Sequence, residues 1–257
     1  MNDIARLAER IRDAESVVAF TGAGMSTASG IPDFRSDSGL WNRFDQEEFY
    51  YRRFRSDPAA FWADRLELYE AMFGGDVGPN AAHRALAELA ASGQLDAIIT
   101  QNTDGLHADA SNAQRGDSAV PEIVELHGNA HRVVCDECGR ETDAAPVRRR
   151  IESGELPPRC TDCDGVLKPD VVLFGERLDE GTLHRARRHA RRADVFLAIG
   201  SSLTVEPAAS LPRTADREGA MTAVINFDET PFSPTATFDV RGDVTDLLPE
   251  LRANIVE

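Results

Sequence analysis

Residues 21–35 read TGAGMSTASGIPDFR and directly follow the short apolar run Val17-Val18-Ala19-Phe20. A buried strand running into a Gly-Ala-Gly turn is how a Rossmann-type sheet presents backbone N–H groups to a pyrophosphate. Gly22 and Gly24 permit a tight turn and let the backbone approach a ligand with no Cβ in between. The spacing is not Gly-x-Gly-x-x-Gly: the third position after Gly24 is Thr27, and a second block, Gly30-Ile31-Pro32-Asp33-Phe34-Arg35, follows. That block sets an aromatic ring and a guanidinium just beyond the phosphate turn, where cofactor chemistry takes place. Gly-Ala-Gly alone is weak evidence for a dinucleotide, but the whole stretch is far more specific.

The rest of the 257-residue chain has the rhythm such a turn requires. Residues 3–14 have helical spacing, with Ile4, Leu7, Ala8 and Ile11 on one face. A helix is predicted over 80–92, with Asn80 as its cap and Gly93 as its end, and a buried strand over 97–100. Later strands are expected at 195–199, 222–227 and 238–240, with helices at 180–193 and 244–254. Short apolar strands alternating with helices predict an α/β fold: a Rossmann-like, mostly parallel sheet covered on both faces. Two stretches break the rhythm. Residues 36–76 are aromatic, charged and helically spaced, and read as a helical insertion. Residues 130–168 carry cysteines, arginines and prolines, and read as a small inserted lobe. The expected large lobe therefore comprises residues 1–35, 77–129 and 169–257.

Net charge is −16, from 44 acidic and 28 basic residues, and Lys168 is the single lysine. A GC-rich genome favours arginine codons, and a saline cytoplasm favours a carboxylate-rich surface that stays hydrated. Both readings fit. Either argues against direct nucleic-acid binding, which depends on clustered cations. No apolar run approaches the roughly 20 residues needed to span a bilayer. The charged, helix-patterned N-terminus is unlike a signal peptide, so a cytoplasmic location without membrane attachment is expected.

All four cysteines fall in one pattern, Cys135-x-x-Cys138 and Cys160-x-x-Cys163, with twenty-one residues between the pairs. Two such knuckles direct four thiolates at one tetrahedral zinc ion. Four sulfur ligands leave no position for water, so the ion is expected to be structural. A lobe of roughly forty residues cannot bury enough core by itself, and zinc binding supplies on the order of 10–16 kcal/mol toward its folding.

Four further segments carry chemistry. The strand ending at Thr100 leads into Gln101-Asn102-Thr103-Asp104-Gly105-Leu106-His107, beyond a strand's carboxyl end, where parallel sheets bind ligands. Residues 122–126 lead to His127-Gly128, which distinguishes His127 from His83, His131, His184 and His189, all read as structural. Lys168-Pro-Asp-Val-Val-Leu-Phe-Gly-Glu176 and Gly200-Ser-Ser-Leu-Thr-Val-Glu-Pro207 follow. Together with residues 21–35, these motifs resemble, in order, the signatures of the sirtuins, the NAD-dependent protein lysine deacylases. The resemblance spans roughly residues 4–250.

That resemblance implies a single catalytic domain that consumes NAD as co-substrate and frees lysine from its acetyl group. Nicotinamide and O-acetyl-ADP-ribose would be the other products, and acyl-lysine proteins the partners. It implies that Gly22, Gly24 and Arg35 hold the pyrophosphate, that NAD lies against Ala23 and Thr27, that Phe34 shields the reacting ribose, and that Asp33 also binds the cofactor. Gln101 and Asn102 would orient that ribose, Thr103 and Asp104 would hold the carboxamide, Asn226 and Asp243 would hold the adenosine half, and Gly200, Ser201, Ser202 and Phe227 would also bind the cofactor. His127 would be the general base, with Asn102 beside it in catalysis. Val172, Phe174, Gly175, Glu176, Leu203 and Val205 would line the peptide groove, with residues 172–176 and 203–206 pairing with the peptide as strands. Thr103 departs from the isoleucine usual in the family and makes that pocket more polar. Relatives that remove succinyl or malonyl groups carry a Tyr-x-x-Arg pair, and Arg65 and Leu68 stand where that Tyr and Arg are expected. Neutral acyl groups, acetyl first, are therefore expected. An ADP-ribosyltransferase on the same scaffold and a non-catalytic NAD sensor are the competing readings, and oligomeric state is unassigned.

Overall fold

The structure, a computed structural model, describes residues 3–34, 39–114 and 120–256. In chain order its strands are β1 (Val17–Thr21), β2 (Ala97–Thr100), β3 (Glu122–Glu125), β4 (Gly128–Cys135), β5 (Glu141–Asp143), β6 (Leu167–Val171), β7 (Val195–Ile199), β8 (Met221–Asn226) and β9 (Phe238–Arg241). Its helices are α1 (Asp3–Arg12), α2 (Tyr51–Ser56), α3 (Pro58–Phe73), α4 (Ala81–Ala91), α5 (Leu106–Ala113), α6 (Ala144–Glu152), α7 (Glu180–Arg192), α8 (Leu211–Arg217) and α9 (Val244–Val256).

Six strands form one sheet in the order β3-β2-β1-β7-β8-β9, with every neighbouring pair parallel. Every residue of β1, β2 and β7 is buried, as expected of strands covered on both faces. One face packs on α1, α4 and α9 through residues such as Leu7, Ile11, Leu86 and Leu251. The other packs on α7 and α8 through Ala186, Ala190 and Leu211. The order builds outward from β1 to β3 and then from β7 to β9. The topological switch point therefore falls between the carboxyl ends of β1 and β7.

The smaller elements differ in detail from the sequence expectation. The inserted lobe is a three-stranded antiparallel sheet, β5-β4-β6, with α6 against it. Its strands begin at Gly128 and end at Val171, outside the 130–168 expected. The physical reason is visible at Gly128, which has φ +77°: a Cβ there would sit 2.1 Å from the Asp170 carbonyl oxygen, so β4 and β6 already touch at that point. The helical insertion consists of two 3-10 turns, Leu40–Asn42 and Gln46–Phe49, followed by α2 and α3. It shares an apolar cluster with the cysteine lobe, where Phe54, Phe61 and Trp62 meet Val133, Val147, Ile151 and Leu167. Trp62 Nε1 donates to the Leu167 carbonyl at 2.7 Å across the same seam. No helix among the described residues is long and apolar enough to cross a membrane.

Beneath the carboxyl ends of β1 and β2, His83 and His107 are almost wholly buried with ring centroids 4.9 Å apart. The Asn80 amide donates to His83 Nδ1 as part of a capping box, while His107 Nε2 meets Thr21 Oγ1 at 2.9 Å. Burial lowers the pKa of His83 to about 4 and that of His107 well below 6.5. Unfolded histidine takes a proton near pH 6.5, so both rings stabilise the fold fully above that pH and progressively less below it. Between pH 6.5 and 4 His83 alone is expected to cost about 1.4 kcal/mol of stability per pH unit, His107 adds to the fall in the same direction, and the fall is shallower in His83→Gln. Urea midpoints at several pH values check this, and a flat profile in the native chain contradicts it.

Candidate active site

The switch point opens into a cavity of about 790 Å³. Its floor is made where the turn after β1 meets the turn after β7. Gly22 N donates to the Ile199 carbonyl at 3.1 Å and Gly24 N to the Gly200 carbonyl at 2.8 Å. A Cβ on Gly24 would lie 2.9 Å from the Gly200 oxygen, and one on Gly200 would lie 2.6 Å from the Met25 nitrogen. Gly200 also has φ +58°, a conformation that favours glycine. The sequence suggested that Gly22 and Gly24 clear space for a ligand. Both do line the cavity, yet the backbone they admit most closely is that of residues 200–201.

The turn after β2 supplies a connected set of polar groups. Asn102 Nδ2 donates to the Gly22 carbonyl and to Ser26 Oγ, each at 3.0 Å. Ser26 Oγ donates in turn to Asp104 Oδ2 at 2.7 Å, and the Leu106 amide donates to Asp104 Oδ1 at 3.0 Å. Both donors of the Asn102 amide group are thereby engaged, and its oxygen is left as an acceptor. Burial raises the pKa of Asp104, opposed by the bonds from Leu106 and Ser26. Gln101 Nε2 donates to Ser201 Oγ at 2.8 Å, tying the β2 turn to the β7 turn. Ser26 was not singled out from sequence, although it sits inside the 21–35 stretch.

His127 follows β3 and lines the same cavity. Its Nδ1 lies 2.9 Å from the Gln101 carbonyl, which can only accept, so Nδ1 carries the proton and Nε2 keeps its lone pair. Burial lowers the pKa of this imidazole, only partly offset by that bond. At neutral pH the ring is a neutral base.

Gly22, Ala23, Gly24, Thr27, Asp33, Phe34, Gln101, Thr103, Asp104, Gly200, Ser201, Ser202, Asn226, Phe227 and Asp243 all line the cavity alongside Asn102 and His127. Arg35 lies outside the described residues. Phe34 stacks on Trp41 at 5.4 Å, and Trp41 meets Phe174 edge-on at 5.5 Å, forming an aromatic wall. Asp243 accepts from the Thr245 amide and hydroxyl, which lowers its pKa.

The groove residues fare unevenly. Val172, Phe174, Gly175, Glu176 and Val205 line the cavity, but Leu203 is 3% exposed and packs into the core under the β7 turn. Much of the 172–176 backbone is already engaged. The Val172 amide donates to the His127 carbonyl, Leu173 N donates to Glu176 Oε2, and the Phe174 carbonyl accepts from Tyr51 N. Glu176 also accepts from Lys168 Nζ at 3.0 Å, so the single lysine is buried and paired. The Val172 and Leu173 amides and the Phe174 carbonyl thus already have partners within the chain.

The sequence pattern of the Sir2 family matches residues 22–207. The chain belongs to the Sir2 family. A Haloarcula marismortui protein named NAD-dependent protein deacetylase is 53% identical over 247 residues, covering 95% of this chain and 92% of that one. A Sulfolobus acidocaldarius protein of the same name is 41% identical over 255 residues, covering 99% and 96%. Among solved structures, a Sir2–p53 peptide–NAD+ complex superposes with a TM-score of 0.85 at 33% identity, covering 98% of each chain.

In this sirtuin the four cysteine sulfurs lie within 4.8 Å of one another and form no disulfide. Cys135 and Cys163 sulfurs are 3.4 Å apart, and those of Cys138 and Cys160 3.8 Å. Tetrahedral Zn–S bonds of about 2.3 Å put sulfurs about 3.8 Å apart, so the donor set fits zinc in number, softness and spacing. The Cys138 amide points at Cys135 Sγ at 3.5 Å, a bond that stabilises a thiolate. A Cβ on Gly165 would lie 2.9 Å from the same sulfur, so the second knuckle closes only with glycine there. Cys160→Ser is expected to lower bound zinc from about one ion per chain to near none, with loss of the lobe's structure. Elemental analysis together with thermal melting reads this, and full zinc occupancy in the variant contradicts it.

Proposed function

We propose that this sirtuin removes acetyl groups from protein lysine side chains in an NAD-dependent reaction. The supporting observation is that one cavity, at the switch point of a parallel sheet, is lined by a neutral His127 with a free Nε2, by Asn102 and by the 22–24 turn. In the net reaction the acyl C–N bond of the modified lysine breaks and the acyl carbon bonds to a ribose oxygen. The bond from ribose to nicotinamide breaks, and water supplies the remaining oxygen and protons. Acyl-lysine, NAD and water thus give lysine, nicotinamide and O-acyl-ADP-ribose. NAD supplies an electrophilic ribose carbon with nicotinamide as the leaving group.

The chain's own residues bind, orient and move a proton. The turn at 22–24, with Ser201 and Ser202 opposite, offers a polar cradle to a pyrophosphate. Asn102, its two N–H groups held by Gly22 and Ser26, presents an oxygen of fixed direction to a hydroxyl. Asp104 and Thr103 present acceptors to an amide N–H₂ group. Phe34, backed by Trp41, keeps water from a cationic centre. His127 Nε2 takes a proton from a ribose hydroxyl. Its lowered pKa keeps it deprotonated at neutral pH, and general base catalysis of this kind contributes about 10²–10⁴ in rate. Soluble acyl-lysine proteins met in the cytoplasm are the proposed substrates.

Mass spectrometry of an acetyl-lysine peptide with and without NAD, in molar salt, tests this reading. Acetyl loss with acetyl-ADP-ribose formation is expected only with NAD, and is expected to fall at least about 100-fold in His127→Ala. Activity should drop on acidification with a midpoint below pH 6.5, because protonation removes the base. Nicotinamide release with an intact peptide would instead favour the ADP-ribosyltransferase reading.

A further inference from the structure

Just beyond Gly128, the first residues of β4 close on the turn that carries Thr103 and Asp104. Ala130 N donates to the Thr103 carbonyl at 2.8 Å, and His131 Nε2 lies 3.0 Å from the Asp104 carbonyl. A carbonyl oxygen only accepts, so Nε2 carries the proton and Nδ1 is left as an acceptor. Tyr69 of α3 meets that acceptor, its hydroxyl donating to Nδ1 at 3.3 Å. One imidazole thus joins the cysteine lobe, the helical insertion and the turn after β2.

The ring is held from several sides. Phe73 and Tyr69 pack against it with centroids 5.1 and 6.2 Å away. Tyr69 lies in turn beneath the Arg148 guanidinium of α6, 3.8 Å from its ring centroid. The His131 amide donates to Asn129 Oδ1 at 2.9 Å, and Asn129 Nδ2 donates to Glu125 at 2.6 Å. Arg132, the next residue, pairs with both Glu125 and Asp170. A histidine on the exposed side of a strand needs none of this for its own sake, because water can serve both nitrogens. Holding the ring between two partners costs side-chain entropy, and what it fixes is the position of the Asp104 backbone. The two residues whose carbonyls β4 grips are also the two that line the cavity as acceptors for a carboxamide. Ser26 and the Leu106 amide hold the Asp104 side chain, and His131 holds its backbone.

We propose that His131 is a positioning residue for the nicotinamide end of the site. Its Nε2–H fixes the Asp104 carbonyl, so that residues 103–104 meet the carboxamide of NAD, and of released nicotinamide, in one geometry. This rests on the deacylase reading and adds a residue that acts on the ligand only through Asp104. His131 reads as structural from sequence, and its two ring bonds tie it to the site instead.

The test reads the KM for NAD and the Ki for nicotinamide against the KM for an acetyl-lysine peptide, in the zinc-loaded full chain. Native protein, His131→Gln and His131→Asn are compared. A Gln amide nitrogen reaches the place of Nε2, whereas an Asn amide reaches only that of Nδ1, so two side chains of like polarity differ in whether Asp104 keeps its donor. In His131→Asn the KM for NAD and the Ki for nicotinamide are expected to rise together, at least about threefold, with the peptide KM unchanged. In His131→Gln both are expected to return toward native values. Native constants in His131→Asn, an equal rise in the peptide KM, or a rise as large in His131→Gln overturns the proposal and leaves the deacylase reading standing. If His131→Asn does not fold, Tyr69→Phe, which keeps the ring beneath Arg148 and removes the hydroxyl, carries the test. The same two constants are expected to rise in it, and their constancy overturns the proposal. A native chain without NAD-dependent acetyl loss overturns the deacylase reading and the proposal with it.

Discussion

The backbone at residues 22–24 lies against that of residues 200–201 with no room for a single side-chain carbon, and the site is built on that contact. Gly24 N and the Gly200 carbonyl, 2.8 Å apart, lock the turn after β1 to the turn after β7 at the point where the sheet changes direction. Once the two turns are locked, the Gly22 carbonyl becomes the acceptor that orients Asn102. Ser26, on the same turn, joins Asn102 to Asp104. Ser201, on the other turn, receives Gln101, whose carbonyl fixes the tautomer of His127. His127 and its neighbouring polar groups are thus positioned by backbone contact and the side-chain bonds it permits, with Asp104 the one charged residue among those named.

The inserted elements close the cavity from the opposite side. The cysteine lobe and α3 share one apolar cluster, so a metal bound by four sulfurs would stabilise the wall that carries Arg65, Leu68 and Met72. His127 links the two halves: its ring lines the cavity, its carbonyl accepts from Val172, and Gly128 beside it starts the first strand of the lobe. Movement of the lobe relative to the sheet would therefore be felt at the base. The same design explains why the one lysine is buried. Lys168 joins Glu176 and the Val171 carbonyl at the end of β6, bracing a segment that lines the cavity.

Much of this was legible in the sequence because strand and helix signals were local. The largely apolar runs at Val17–Thr21, Ala97–Thr100 and Val195–Ile199 are buried on both faces, and Asn80 caps α4 through its own side chain. The cysteine spacing carried the metal site. Harder features depended on tertiary contact. Strand β3 is bounded by two glutamates and declares itself only by pairing with β2. Helix α5 starts at Gly105 with φ +75° and lacks a side-chain cap. The role of Gly22 and Gly24 as a backbone contact, the burial of Leu203 and the reach of Arg65 into the cavity depend on segments far apart in sequence, and local pattern does not encode such distances.

The most direct test of the account is NAD affinity in Gly200→Ala, measured by titration calorimetry beside zinc content and far-ultraviolet circular dichroism. One methyl group here meets backbone at 2.6 Å and must push the two turns apart. The account predicts at least a tenfold loss of NAD affinity, about 1.4 kcal/mol, with zinc content and helical signal retained. Native affinity in this variant would contradict it, because the locked turns would then not be what positions the site.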